Sequence, residues 1–125
     1  MFLTLSAASF AQEKAPPPIA RDILPGLQLP IEHTVDRVEV QKISMAANQK
    51  PGAHVHSVPV IGYVIEGKIR FQIGQQPEQI LSAGDTFLEP AGAVVTHFDS
   101  GDTPAKFIAY YLLGKGEKNG IKMTP

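Results

Sequence analysis

Residues 51–73 read Pro51-Gly52-Ala53-His54-Val55-His56-Ser57-Val58-Pro59-Val60-Ile61-Gly62-Tyr63-Val64-Ile65-Glu66-Gly67-Lys68-Ile69-Arg70-Phe71-Gln72-Ile73. Every part of this stretch speaks for β-structure. Lys68 to Ile73 alternates polar and apolar strictly, as a strand with one wet and one dry face does. Val60 to Ile65 is nearly all apolar and rich in β-branched residues, which predicts a strand buried on both sides. Glu66-Gly67 between them predicts a tight hairpin, with Gly67 supplying a positive φ. At the start, His54 and His56 leave a strand on the same face, about 6.6 Å apart at their α-carbons. Two imidazoles so placed are half of a metal site.

Working outward, the same texture continues in both directions. Strands are predicted at Arg37–Met45, Ala53–Ser57, Gln79–Leu81, Thr86–Glu89, Val94–Phe98 and Ala105–Leu113, punctuated by Gly and Pro at short intervals. No stretch from Val35 onward holds a helical period, so the chain reads as all-β, a sandwich or barrel of many short strands. Gly114 to Pro125 is polar and reads as a C-terminal tail. At the other end, Pro16-Pro17-Pro18, Leu24-Pro25-Gly26 and Leu29-Pro30 forbid helix, and residues 12–34 read as a Pro-rich linker and an extended N-terminal arm.

The 125 residues, with 43% hydrophobic residues and a net charge of −1, suit one domain with a packed core. Neither the charge balance nor any run of Lys and Arg builds the basic face that nucleic acid requires. The apolar start is too short to span a bilayer, which needs about 20 residues. Residues 1–11 resemble instead the remnant of a signal peptide, with Ser9-Phe10-Ala11 before Gln12 as a cleavage site, although no basic n-region precedes it. Export to a periplasm or the medium is the expectation. The chain has no cysteine, so any metal must be held by His, carboxylate or water.

Four groups of residues in order carry a family resemblance: Pro51-Gly52-Ala53-His54-Val55-His56, Gly62-Tyr63-Val64-Ile65-Glu66-Gly67, Ala83-Gly84-Asp85, and Glu89-Pro90-Ala91-Gly92. Together they resemble the cupin superfamily, and in particular its small single-domain, quercetin-dioxygenase-like barrels. The resemblance spans residues 35–113. It implies an all-β double-stranded β-helix (a jelly-roll barrel), commonly dimeric, whose ligands point into the barrel, where a metal meets a small substrate. His54 and His56 match the two histidines of the first cupin motif. The carboxylate or amide four residues later is Val60 here, and the histidine of the second motif is Val95. Only His97 is near, with the same parity as Val95 but about 6.6 Å further along an unbroken strand. A bulge in Ala93-Val94-Val95 would be needed to recover its register.

The resemblance therefore predicts a metal centre of His54, His56 and His97, holding a divalent transition metal (Fe, Mn, Ni, Zn or Cu), with nothing in the sequence selecting one. His97 has a second reading, as an acid-base or substrate-binding partner. Glu89 is a weak catalytic candidate, placed either facing the cavity or outside the turn, with the outside favoured. Glu66 reads as solvent-facing, and His33 as a surface histidine. The aromatic residues read as packing. Because Tyr110-Tyr111 leaves Phe107–Leu113 apolar on both faces, one face is expected to meet the barrel interior and the other a second subunit, as a homodimer. Two functions follow. The first is an exported metal-dependent enzyme (dioxygenase, lyase or isomerase) acting on a small organic molecule. The second is a non-catalytic barrel binding a small apolar ligand, with a degenerate metal site.

Overall fold

The computed structural model describes residues 2–4 and 14–125. Most of the expected signal-peptide remnant lies outside the described residues. Among the described residues nine strands follow in order: β1 Arg37–Met45, β2 His54–His56, β3 Val60–Glu66, β4 Lys68–Ile73, β5 Gln79–Ser82, β6 Thr86–Glu89, β7 Val94–Ser100, β8 Ala105–Leu113 and β9 Ile121–Met123. They form two antiparallel sheets, a four-stranded one in the order β1-β8-β3-β6 and a five-stranded one in the order β5-β4-β7-β2-β9. This is the double-stranded β-helix. Consecutive strands alternate between the sheets in places, so the chain wraps around a single core.

The core is aromatic where the two sheets meet. Phe71, Phe87, Phe98 and Phe107, one from each of β4, β6, β7 and β8, pack edge-on or tilted with ring centroids 5.0 to 6.0 Å apart. Such contacts add about 0.5–1.5 kcal/mol per pair to the burial of the rings. Gly62 in β3 makes room for this cluster, because a Cβ there would lie 1.9 Å from the ring of Phe87. Strand parity explains which residues reach the core. Along β8, Ala105, Phe107, Ala109, Tyr111 and Leu113 are all buried, while the residues between them are not.

Three local expectations fail for identifiable reasons. β3 is not buried on both sides: Val60, Gly62 and Val64 face inward, but Tyr63 is exposed, because none of the described residues covers it on the outer face of its sheet. The Glu66-Gly67 link is not a hairpin. β3 pairs with β6 and β8, and β4 with β5 and β7, so these two residues form a corner that carries the chain from one sheet to the other. Gly67 does adopt a positive φ of 78°, and any Cβ there would meet the Pro104 carbonyl oxygen at 2.3 Å. Finally, the expected tail contains β9, which pairs with β2 in the register His54↔Met123, Val55↔Lys122 and His56↔Ile121. Backbone bonds from Ser57 N to Gly120 O and from Thr124 N to Ala53 O, each 2.9 Å, extend this ladder at both ends. A three-residue strand in a polar segment has no periodicity to detect, and only its partner defines it.

Candidate metal centre

His54 and His56 sit on β2 with both side chains turned inward, 5% and 7% exposed, and their rings meet edge-on with centroids 5.0 Å apart. The i, i+2 geometry expected from the sequence is thus realised in the interior. Glu89 joins them. In β6 the buried positions alternate, Phe87 and then Glu89, so the residue two places beyond a core phenylalanine enters the same interior. Its carboxylate is buried, and one oxygen lies 2.9 Å from His56 Nε2. The favoured sequence reading, Glu89 outside the turn, is corrected by that parity, which was already legible in Phe87-Leu88-Glu89.

Cross-strand register explains how the carboxylate comes to be there. Val60, at the position where the family resemblance places a carboxylate or amide, is the direct antiparallel partner of Glu89. Directly opposed residues share a face of the sheet. Glu89 therefore offers from β6 the carboxylate that Val60 of β3 lacks. Likewise Val95, the position of the second-motif histidine, is paired with His54. One donor atom from each of His54, His56 and Glu89 lies within 4.8 Å of the other two, and all three residues are buried.

His97 does not reach this group. β4 and β7 pair Gln72 with His97 but Ile73 with Val95, so Thr96 is an extra residue in β7 and the register shifts there. This bulge reverses the parity: Val95 and Phe98 are buried in the core, whereas His97 turns to the outer face. There its Nδ1 lies 3.2 Å from the buried Asp99 carboxylate, beside Arg70 and Glu78. The hydrogen bond from Arg70 holds the Glu78 carboxyl below the usual carboxylate range. The bulge that β7 contains thus turns His97 outward, not inward.

The remaining sequence candidates are also placed. Glu66 is exposed and 3.8 Å from Lys106 Nζ, as a solvent-facing residue would be. His33 is half-buried rather than free on the surface, with Nε2 2.8 Å from Glu117 Oε1. Tyr111, read from sequence as packing alone, belongs to the site: it is the β8 partner of Val60, and its ring centroid lies 6.0 Å from that of His56. Its hydroxyl donates to Gln41 Oε1 at 3.2 Å. Burial, and then the charge of Glu89, pushes its pKa above the ordinary tyrosine value, so it remains a proton-bearing group.

The donors open onto a cavity of about 460 Å³. Its walls are mainly apolar, with Ile43, Met45, Phe98, Phe107, Ile121 and Met123 around the His-His-Glu group and the exposed Lys50 in its lining. β9, absent from the sequence reading, thus supplies part of the wall. This size and this mix of dry wall and few convergent polar groups are typical of small-molecule sites.

The donor set suits a divalent cation. His54 Nδ1 lies 3.0 Å from the Gly52 carbonyl oxygen, which fixes the proton on Nδ1 and leaves the Nε2 lone pair free, the usual orientation of a ligating histidine. His56 Nδ1 is buried with no hydrogen-bond partner, so protein groups alone do not satisfy this cluster. Two neutral imidazoles and one carboxylate would offset half the charge of a 2+ ion and leave coordination positions toward the cavity.

Comparison with known proteins agrees with the architecture. The cupin domain family model matches residues 41–111. No curated protein matches the sequence significantly. Among solved structures, the chain is similar to the DMSP lyase DddQ from Ruegeria pomeroyi, with a TM-score of 0.62 and 21% identity over 70% of this chain and 43% of that one. It is similar to a cupin-like protein from Thermotoga maritima, with a TM-score of 0.61 and 21% identity over 70% and 64%. It also resembles oxalate decarboxylase from Bacillus subtilis, with a TM-score of 0.60 and 17% identity over 69% and 23%. The chain spans less than half the length of the lyase and the decarboxylase. At these identities the likeness is one of fold. With motif order, barrel topology and a family match covering more than half of its length in agreement, this chain belongs to the cupin family.

Proposed function

We propose that this protein is a metal-dependent cupin enzyme that binds a divalent transition metal through His54, His56 and Glu89 and acts on a small organic molecule in the barrel. The observation that carries this reading is the convergence of three buried donors, within 4.8 Å of one another, in the lining of a mainly apolar cavity. Fold neighbours that are named as a lyase and a decarboxylase support the same class of chemistry. When bound, the metal would supply Lewis acidity or oxygen activation. The chain's own residues do the rest. His54 is oriented by the Gly52 carbonyl, Glu89 reduces the net charge of the donor set, and Tyr111 keeps a hydroxyl proton beside the cavity. Phe98, Phe107, Ile121 and Met123 give the body of the ligand an apolar lining. An anionic or enolisable oxygen compound with an apolar body suits such a site, as a dioxygenase, lyase or isomerase substrate.

Metal analysis of protein purified without an affinity tag tests the reading. About one equivalent of metal is expected in the wild type, with loss in His54→Ala and Glu89→Ala. Metal content that survives both substitutions unchanged would refute it. An oxygen-consumption screen against small diketones, thiols and enols then separates oxygenases from lyases and isomerases.

A second reading rests on Val60, Val95 and the His56–Glu89 contact of 2.9 Å: a barrel that binds a small apolar ligand without chemistry, in which the histidine and carboxylate satisfy each other. Absence of metal together with binding of an apolar probe would select it. We further propose that the protein is exported and acts as a homodimer, on the strength of the small, apolar start of the chain and the apolar outer face of β8.

A further inference from the structure

Among the described residues, the cavity lining holds one carboxylate and one ammonium group: Glu89, which is buried, and Lys50, which is exposed. Glu89 is taken up by His56 and the metal-donor group. Lys50 has no such use. The ion pairs of Lys and Arg among the described residues join Arg37 to Asp36, Arg70 to Glu78 and Asp99, and Lys106 to Glu66, and Lys50 is in none of them.

An exposed lysine on a loose loop would mean little beside a cavity, since most lysines face water. The segment that carries Lys50 is not loose. Between β1 and β2 the chain is tied to the end of β7 through Ser100, which is buried. Gln49 N donates to Ser100 Oγ at 2.8 Å, Ser100 Oγ donates to Ala46 O at 2.6 Å, and Ser100 N donates to Gln49 O at 3.0 Å. Asn48 N donates to Gly101 O at 2.7 Å, and Ala46 N donates to Gln49 Oε1 at 2.8 Å. The turn holds Asn48 at a φ of 58°, which asparagine tolerates better than most residues with a side chain. Pro51 then confines Lys50 to an extended backbone. Two residues beyond Lys50, the Gly52 carbonyl oxygen orients His54 Nδ1 at 3.0 Å. Gln49 is thus spent on the loop itself, and the same tied segment carries both the cation of the lining and the group that orients a metal-donor histidine.

We propose that Lys50 determines the specificity of the cavity, and that its ligand is an organic acid whose carboxylate is remote from the oxygen group that meets His54, His56 and Glu89. The carboxylate pairs with Lys50, and the body between lies against Phe98, Ile121 and Met123. The inference rests on the metal-site reading for the second oxygen group alone. Burial sets the spacing: Lys50 is exposed and the three donors are buried, so one small group cannot serve both. Charge agrees. A divalent ion held by two neutral imidazoles and Glu89 leaves the site positive, and Lys50 adds to it, so a ligand with two separated anionic oxygen groups neutralises the cavity better than one. Mainly apolar walls strengthen the Lys50 pairing relative to one on an open surface. A 2-oxo acid would spend its carboxylate and its carbonyl together on the metal and leave Lys50 idle.

Two probes of one skeleton test it: octane-2,4-dione, and 5,7-dioxooctanoate, in which the terminal methyl of the same chain is a carboxylate. Calorimetry gives their affinities for the full chain, both loaded with zinc, which has no redox chemistry of its own, and free of metal. In wild type the carboxylate should raise affinity. Lys50→Met should lower the ratio of the two affinities about five- to tenfold and leave octane-2,4-dione binding unchanged, which also reports an intact cavity. Lys50→Arg should keep the preference, and Lys50→Glu should lower the ratio further than Lys50→Met. Lys122→Met removes the same charge from β9 at a residue outside the lining, and should leave the ratio as in wild type. A ratio unmoved by Lys50→Met, an equal loss in Lys122→Met, or no binding of 5,7-dioxooctanoate at millimolar concentration would overturn the proposal. The two readings fail separately. Equal binding of octane-2,4-dione with and without zinc removes the metal reading, while the Lys50→Met ratio still decides the anchor. Zinc-dependent binding with an unmoved ratio removes the anchor alone.

Discussion

The buried contact between His56 and Glu89 permits a prediction that separates a metal site from a structural ion pair. His56→Leu removes the group 2.9 Å from the Glu89 carboxylate and leaves that carboxylate, 5% exposed at its side chain, in an apolar cavity wall. Breaking a buried pair in this way costs about 3–5 kcal/mol. Against the total of about 5–15 kcal/mol typical of a domain, this is a large fraction. At about 4–8 °C per kcal/mol for a barrel of this size, the melting temperature falls by tens of degrees. Replacing both residues, His56→Leu with Glu89→Met, removes the uncompensated charge, and stability should return to near wild type or above it. The assay is urea denaturation with excess chelator, analysed as a double-mutant cycle. Repeating it with saturating metal adds the site's own contribution. The wild type should gain about 2.7 kcal/mol at a hundredfold excess over Kd, and the double variant nothing. Additive losses in chelator, with no coupling between the two residues, would refute the pairing. A metal-induced gain retained by the double variant would refute the ligand assignment.

Four further outcomes are expected. His97→Ala should leave metal content unchanged, as read by elemental analysis, because the bulge at Thr96 turns His97 toward Asp99 on the outer face. Gly62→Ala should destabilise by about 1–3 kcal/mol or more in denaturant titration, since its Cβ overlaps the Phe87 ring in a close-packed core. Gly67→Ala should also destabilise, by about 1–3 kcal/mol, because a non-glycine residue is held at positive φ. For Tyr111, whose pKa is raised in the folded state, the stability contribution is complete below the ordinary tyrosine pKa of about 10 and is lost as pH rises through the folded value. The denaturation midpoint should therefore fall above about pH 10 less steeply in Tyr111→Phe than in wild type.

Strand after strand was legible from local sequence, because the buried and exposed faces alternate with the period of two that a half-buried strand imposes. Arg37–Met45, Lys68–Ile73, Thr86–Glu89 and Ala105–Leu113 have the same limits in the sequence reading and in the structure. The Glu66-Gly67 corner was misread as a hairpin because positive φ at Gly67 is needed in either case, and only the pairing partners of β3 and β4 distinguish the two. β9 was invisible because its order comes from β2. The apolar residues of β3 predict a covered outer face, but Tyr63 there stays exposed among the described residues.

The sequence by itself determined the fold class, the motif order and the inward convergence of His54 and His56, since each depends on neighbours within a few residues. The parity of Phe87-Leu88-Glu89 already points Glu89 inward, but which residue stands as the third donor was decided by tertiary structure. Whether Glu89 or His97 completes the group depends on which strand lies opposite Val60 and on one extra residue at Thr96, and both are matters of long-range register. A single inserted residue reverses every side chain beyond it, so identical local chemistry points His97 to the outer face and leaves Glu89 beside the pair.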